Sequence, residues 1–140
     1  LYKAKKSDSK LSAIYNGDQF VGLTNVAYYQ DIVYLFYLAI DPTLRSHGYG
    51  SKILHLLKEN YPDKRIFLNI EKIDEMSDNF AQRVKRKKFY QQNGFQNADF
   101  EVETDAVTYE ILYTGGPVAR QDYDLLFKSY LHPIIRKLFL

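Results

Sequence analysis

The chain has 140 residues, 46% hydrophobic and 26% charged, with a formal net charge of +2 and no cysteine. That length suits one folded domain with a real core. The missing cysteines exclude disulfides, thiolate metal sites and cysteine nucleophiles, and the small net charge argues against a nucleic-acid partner. No apolar stretch is long enough to cross a bilayer and no segment has the design of a signal peptide, so the expectation is a cytoplasmic protein with no membrane partner.

The residues Leu11 to Tyr15 read as a strand, and Asn16-Gly17-Asp18 as a turn that tolerates positive φ. Gln19 to Tyr29 is a second strand, with Gly22 a candidate bulge. Gln30-Asp31 turn into Ile32 to Ile40, an unbroken apolar run of the kind buried on both faces of a central strand. These three segments make an antiparallel meander that ends at Asp41-Pro42. From Gly50 to Asn60 the period becomes helical, with Ile53, Leu56 and Leu57 on one stripe. Arg65 to Ile70 is a strand running on into Glu71. A helix spans Asp78 to Gln92, N-capped by Asp78 or Ser77 and stopped by Asn93-Gly94. Two strands follow, Phe100 to Val102 and Val107 to Tyr113. The last segment, Tyr123 to Leu140, is helical with Leu126, Tyr130 and Ile134 on one stripe, and Pro133 should kink or restart it. The order predicts an α/β class fold, a mixed sheet with helices packed on it.

The chemistry starts in Asp41-Pro42-Thr43-Leu44-Arg45-Ser46-His47-Gly48-Tyr49-Gly50-Ser51-Lys52. A glycine-rich turn between a strand and a helix presents several N–H groups at the positive end of a helix dipole, which suits phosphate oxygens. A Walker A loop needs four residues between its first glycine and Gly-Lys-Ser/Thr, and Gly-Tyr-Gly-Ser-Lys does not have them. A dinucleotide fingerprint needs a third glycine where Ile53 stands. What remains is Arg45-x-x-Gly48-x-Gly50, followed about forty residues later by Phe89-Tyr90-x-x-x-Gly94-Phe95.

With those two elements in this strand order, the chain resembles the GNAT superfamily of N-acetyltransferases over roughly Leu11 to Tyr113. The resemblance implies the GNAT-like acyl-CoA N-acyltransferase fold: an antiparallel meander plus splayed central strands, with helices on both faces. It implies one acetyltransferase domain over residues 1–140, lacking the usual N-terminal strand and helices that shape the acceptor side. The last helix can cover that side or form a homodimer contact.

The resemblance further implies acetyl-coenzyme A as co-substrate and a small-molecule or peptide amine as acceptor. The backbone from Arg45 through Ser46, His47, Gly48, Tyr49 and Gly50 to Ser51 would cradle the pyrophosphate, His47 serving as a spacer. The backbone of Leu38, Ala39 and Ile40 would pair with the pantetheine amides like an added strand edge. Tyr90 matches the family's proton donor to the leaving sulfur. Family members often place a glutamate base two residues before the position of Leu38, where this chain has Phe36. Glu71 at the end of the next strand is the candidate base, acting through water. Where the family carries an asparagine seven residues before the tyrosine, this chain has Arg83, with Asn79 one turn earlier. Asn79, Arg83, Arg86, Lys87 and Tyr90 share a helix face that can reach cofactor phosphates or an acidic acceptor. His55 and His132 lack partners at ligand spacing, so no metal site is expected.

Overall fold

In the computed structural model the backbone is described for residues 7–139 and side chains for residues 9–130. The meander is β1 (Ser7–Asn16), β2 (Gln19–Tyr29) and β3 (Ile32–Ile40). Helix α1 (Tyr49–Asn60) leads to β4 (Arg65–Glu71), and α2 (Phe80–Gln92) leads to the hairpin β5 (Gln96–Thr104) and β6 (Val107–Thr114). Helix α3 (Arg120–Phe139) closes the described chain. The six strands form one sheet in the order β1-β2-β3-β4-β6-β5, with β3 and β4 parallel and every other pair antiparallel.

The parallel pair is short. Ile32, Val33 and Tyr34 pair with Arg65, Ile66 and Phe67, and there the ladder stops, although β3 stays paired to β2 as far as Ile40 and β4 to β6 as far as Glu71. The two central strands therefore part beyond Tyr34 and Phe67. At the same place β3 carries a bulge: Leu35 faces Val26 and Tyr37 faces Asn25, leaving Phe36 as the extra residue. A bulge shifts the alternation of side chains by one. Val33 and Leu35 join the core on one face and Tyr34 and Phe36 pack on the other, yet beyond the bulge it is Leu38 that returns to the first face.

At the opposite end the pair is clamped. The Arg65 guanidinium holds both oxygens of Asp31 at 3.0 and 3.1 Å, and also reaches Asp122 at 2.9 Å and the Pro117 carbonyl at 3.0 Å. One side chain thus joins the β2–β3 turn, β4 and the start of α3 by forked, charge-assisted bonds.

Helices cover both faces of the sheet. Leu54 and Leu57 of α1 and Tyr90 of α2 pack on Val26, Val33, Ile66 and Leu68. Tyr123 and Leu126 of α3 pack on Ala27, Tyr34, Phe67 and Ile111, with Phe127 and Tyr130 against the same cluster. So α3 covers the sheet face opposite α1 and α2. Among the described residues no helix is long and apolar enough to cross a membrane.

Several boundaries differ from the sequence expectation. Strands β1 and β5 are longer than the apolar pattern suggested, because β1 is an exposed edge and β5 loses alternation where its register shifts between Asn97 and Glu101. Gly22 is not the bulge: it pairs with Ile14 while Val21 is the extra residue, and a Cβ at Gly22 would strike the Ala39 carbonyl. Only the first half of β3 is buried, since the later half borders the gap between the strands. In α1 Leu54, not Leu56, is in the core, and Leu56 is exposed. The N-cap of α2 is Asn79 rather than Asp78 or Ser77, whose hydroxyl donates instead to the Asp74 carbonyl. Helix α3 starts at Arg120 because the Asp122 carboxylate accepts from the Ala119 N–H at 3.0 Å, and it runs through Pro133 without a restart. The side chain of Ile134 and all of Leu140 lie outside the described residues.

Burial pushes the phenols of Tyr34 and Tyr90 above their ordinary value. The folded chain therefore keeps protons that the unfolded chain sheds above about pH 10. This contribution to stability is complete below that pH and falls above it, by about 1.4 kcal/mol per pH unit for each phenol, until the folded groups ionise. Thermal melts from about pH 9 to about pH 11.5 will show this decline, and Tyr34→Phe will make it shallower.

Candidate active site

Strand β3 ends where Pro42 lacks a donor. The Asp41 N–H donates to the Val21 carbonyl at 2.8 Å, and the Asp41 carboxylate accepts from the Thr43 hydroxyl at 2.6 Å and the Thr43 N–H at 2.9 Å. The Thr43 bonds hold this carboxyl below its ordinary pKa. A short 3-10 turn, Pro42–Leu44, leads into Ser46 and Gly48, both at positive φ. The His47 ring folds back so that Nδ1 lies 2.9 Å from the Arg45 carbonyl and 3.1 Å from that of Leu44. Both partners are acceptors, so Nδ1 carries the proton and the ring braces the loop.

Gly48 is the N-cap of α1 at φ 79°, with no side chain closing the helix end. The first N–H to donate back along the helix is that of Lys52, to the Gly48 carbonyl at 3.2 Å. By helix geometry the N–H groups of Tyr49, Gly50 and Ser51 precede that first bond and point out from the positive end. Gly50 is required by proximity: a Cβ there would lie 2.9 Å from the Phe89 ring of α2.

Between this loop, the end of β3 and α2 lies a groove of about 440 Å³. Arg45, Ser46, Gly48, Tyr49, Gly50 and Ser51 form its loop wall. Leu38 and Ile40, turned to this side by the bulge, form its floor. Lys85, Arg86, Phe89 and Tyr90 form the third wall. The lining holds three cations and no carboxylate, an arrangement suited to a long anion with an apolar section. Asn93 ties two walls together, donating to the Phe89 carbonyl at 2.8 Å and the Ser51 hydroxyl at 3.2 Å.

Tyr90 owes its place to the end of α2. The Phe95 N–H donates to the Tyr90 carbonyl and the Gly94 N–H to the Gln91 carbonyl, at 3.1 Å each, with Gly94 at φ 87°. This is a Schellman cap, and its apolar contact is the Tyr90–Phe95 ring pair at 5.4 Å. Burial raises the Tyr90 pKa, opposed by the nearby Arg86 guanidinium, so the phenol is neutral near pH 7 and can donate.

The other expected residues gather one step away. Arg83 grips Glu71 at 2.7 Å, the Asn79 side-chain oxygen at 2.8 Å and the Lys72 carbonyl at 2.9 Å. Arg86 reaches Glu71 at 3.4 Å, and Asn79 donates to the same carboxylate at 3.4 Å. Glu71 thus links Arg86, on the first groove, to Arg83, which lines a second groove of about 390 Å³ with Lys72, Asp74 and the β5–β6 turn. Asn79 and Arg83 are not among the residues lining the first groove. Neither are Ala39, which is exposed, and His47, whose ring turns back onto the loop. Lys87 leaves the face it shares in the helical count and pairs with Glu110 of β6 at 2.9 Å. Sequence reasoning placed Arg86 on a cofactor-reaching helix face but passed over Leu44, Lys85 and Phe89 as groove residues. The four-residue steps from Lys85 to Phe89 and from Arg86 to Tyr90 were the available signal. Among the described residues no cluster of three or more His, Asp or Glu could hold a metal.

A family model described as an acetyltransferase (GNAT) domain matches residues 7–97. No curated protein matches the chain. Among solved structures, a GNAT-family protein from Bacteroides thetaiotaomicron is 25% identical with a TM-score of 0.68, over 91% of this chain and 72% of that one. An aminoglycoside 6'-N-acetyltransferase complexed with coenzyme A is 13% identical, TM-score 0.58, over 79% and 75%. The PaiA N-acetyltransferase of Thermoplasma acidophilum, also with coenzyme A, is 15% identical, TM-score 0.55, over 74% and 60%. The last two likenesses are ones of fold.

Arg83 fastens the segment after β4 to α2, and its side chain is only 14% exposed. Arg83→Met leaves the Glu71 charge short of its nearest partner and should cost about 1–3 kcal/mol in urea unfolding. Limited proteolysis will show faster cutting within residues 72–79.

Proposed function

The chain belongs to the GNAT family of acetyltransferases, and on that premise we propose that it moves an acetyl group from acetyl-coenzyme A to a primary amine of a small molecule or peptide. One observation carries the reading: a groove with cations and free helix-end N–H groups at one side and a buried, neutral Tyr90 phenol at the other. Acetyl-coenzyme A supplies the activated acyl carbon and a thiolate leaving group. Each stage then needs a residue of this chain. The N–H groups of residues 49–51, with Arg45 and Lys85, take the phosphates. Leu38, Ile40 and Phe89 give the arm an apolar bed. The edge of β3 beyond Tyr34, no longer paired to β4, offers backbone groups to the arm's amides and an N–H to the thioester carbonyl. Tyr90 donates a proton to the sulfur.

The base is the weaker part. Glu71 has guanidinium partners on both oxygens, which commits its carboxylate to ion pairs with Arg83 and Arg86. Phe36, at the position where the family resemblance implies a glutamate, is packed against Tyr34 at 4.8 Å and Tyr130 at 5.4 Å. An amine that is already neutral needs no dedicated base. These two residues favour the second reading, a coenzyme A-binding domain with weak or no catalysis.

Thiol release from acetyl-coenzyme A across a panel of amines separates the two. The enzyme reading expects turnover with at least one amine, and a kcat lower by roughly 10²-fold in Tyr90→Phe, the lower end of what a positioned proton donor contributes. Coenzyme A affinity should not change, since the ring remains. Tight binding of coenzyme A with no turnover on any amine would leave the binding-domain reading standing.

A further inference from the structure

We propose that Arg86 is a catalytic residue, which balances the negative charge that develops on the Tyr90 oxygen and the leaving sulfur. This rests on the acetyltransferase reading and adds to it a residue for the leaving-group step.

The argument starts with position. Arg86 lies one helical turn before Tyr90, and both line the same groove. Its attachment is loose. Glu71 holds Arg83 at 2.7 Å but Arg86 at 3.4 Å, and the Arg86 side chain is 44% exposed against 14% for Arg83. Arg83 is spent on structure, while Arg86 has donors left for the groove.

The chemistry then asks for it. When the amine nitrogen bonds to the acyl carbon, the carbon–sulfur bond breaks and its electron pair stays on sulfur. Sulfur takes the Tyr90 proton, and the proton shed by the nitrogen returns to the Tyr90 oxygen, so the net transfer is from nitrogen to sulfur. An ordinary thiol has a pKa near 8.5 and an ordinary phenol near 10, so a bare phenol gives its proton to a thiolate against a gap of about 1.5 units. Burial of Tyr90 raises the phenol further, an effect Arg86 opposes, and the same cation steadies the thiolate, so that negative charge on either atom costs less. The other charged groups at this end do not take its place. Glu71 of β4 has the wrong sign, Arg83 is engaged and Lys87 faces Glu110. Lys58 of α1 sits over the Phe95 ring, Arg45 stands on the loop wall, and Lys85 lies one turn before Phe89 rather than Tyr90.

The test needs no acceptor. The thiol of coenzyme A bound to wild type, Arg86→Gln and Arg86→Lys is titrated by thiolate absorbance, with affinity measured by calorimetry and folding by thermal melts. The expected result for Arg86→Gln is a thiol midpoint higher by about one pH unit, with coenzyme A affinity within about threefold of wild type and wild-type behaviour kept by Arg86→Lys. With any accepted amine, kcat in Arg86→Gln should fall about tenfold while KM for acetyl-coenzyme A holds. An unchanged midpoint overturns the inference, as does a loss confined to affinity, which would make Arg86 a phosphate ligand. Failure of wild type to bind coenzyme A overturns the acetyltransferase reading and this inference with it.

Discussion

The site depends on a failure of pairing. Strands β3 and β4 run side by side for three residue pairs and then part, each still held by its other neighbour. A parallel pair inside a sheet normally continues, because unpaired N–H and C=O groups in the interior are costly. Here the bulge at Phe36 turns β3 just as the ladder ends, and the two events work together. The gap exposes a strand edge, and the shifted alternation points Leu38 and Ile40 toward it while Tyr34 and Phe36 stay with α3. Without the shift, Tyr37 and Ala39 would face the groove and its floor would lose its aliphatic character.

The two short motifs that frame the groove are backbone devices before they are chemical ones. Ser46 and Gly48 take positive φ so that the loop can deliver α1 with its end open, and no side chain competes for the first N–H groups. The run Tyr90-x-x-x-Gly94-Phe95 is a helix stop whose apolar contact is the tyrosine itself. A proton donor must be held still to be useful, and a capped, buried helix end does that without any bond to the hydroxyl. The spacing of the motif follows from the hydrogen bonding of the cap.

Strands β2 and β3 were legible to the residue, because a dense apolar pattern meets clear turns at both ends. Strands β1 and β5 were not, since an exposed edge and a shifted register leave little alternation to read. The loop and Tyr90 could be found because backbone geometry restricts their residue types. Arg86 could be placed on a shared helix face with Arg83 but not told apart from it. Lys85 could not be told from a solvated face, because a charge on a helix looks the same in sequence whether it meets water or a groove. The distances from Glu71 to Arg83 and Arg86, with their exposure, separate the structural cation from the available one. The aromatic surroundings of Phe36 were equally hidden, since Phe127 and Tyr130 arrive from α3, about ninety residues away.

The Arg65 clamp gives the parted strands a mechanical character. One guanidinium pins the β2–β3 turn, β4 and the start of α3 at the end where the ladder is intact. Strands fastened to each other at one end only, each backed by its outer neighbour, are arranged like the two arms of a pair of tweezers. Any widening of the mouth toward Ile40 and Glu71 would therefore pivot beside Asp31 and Arg65 and would break no β3–β4 rung.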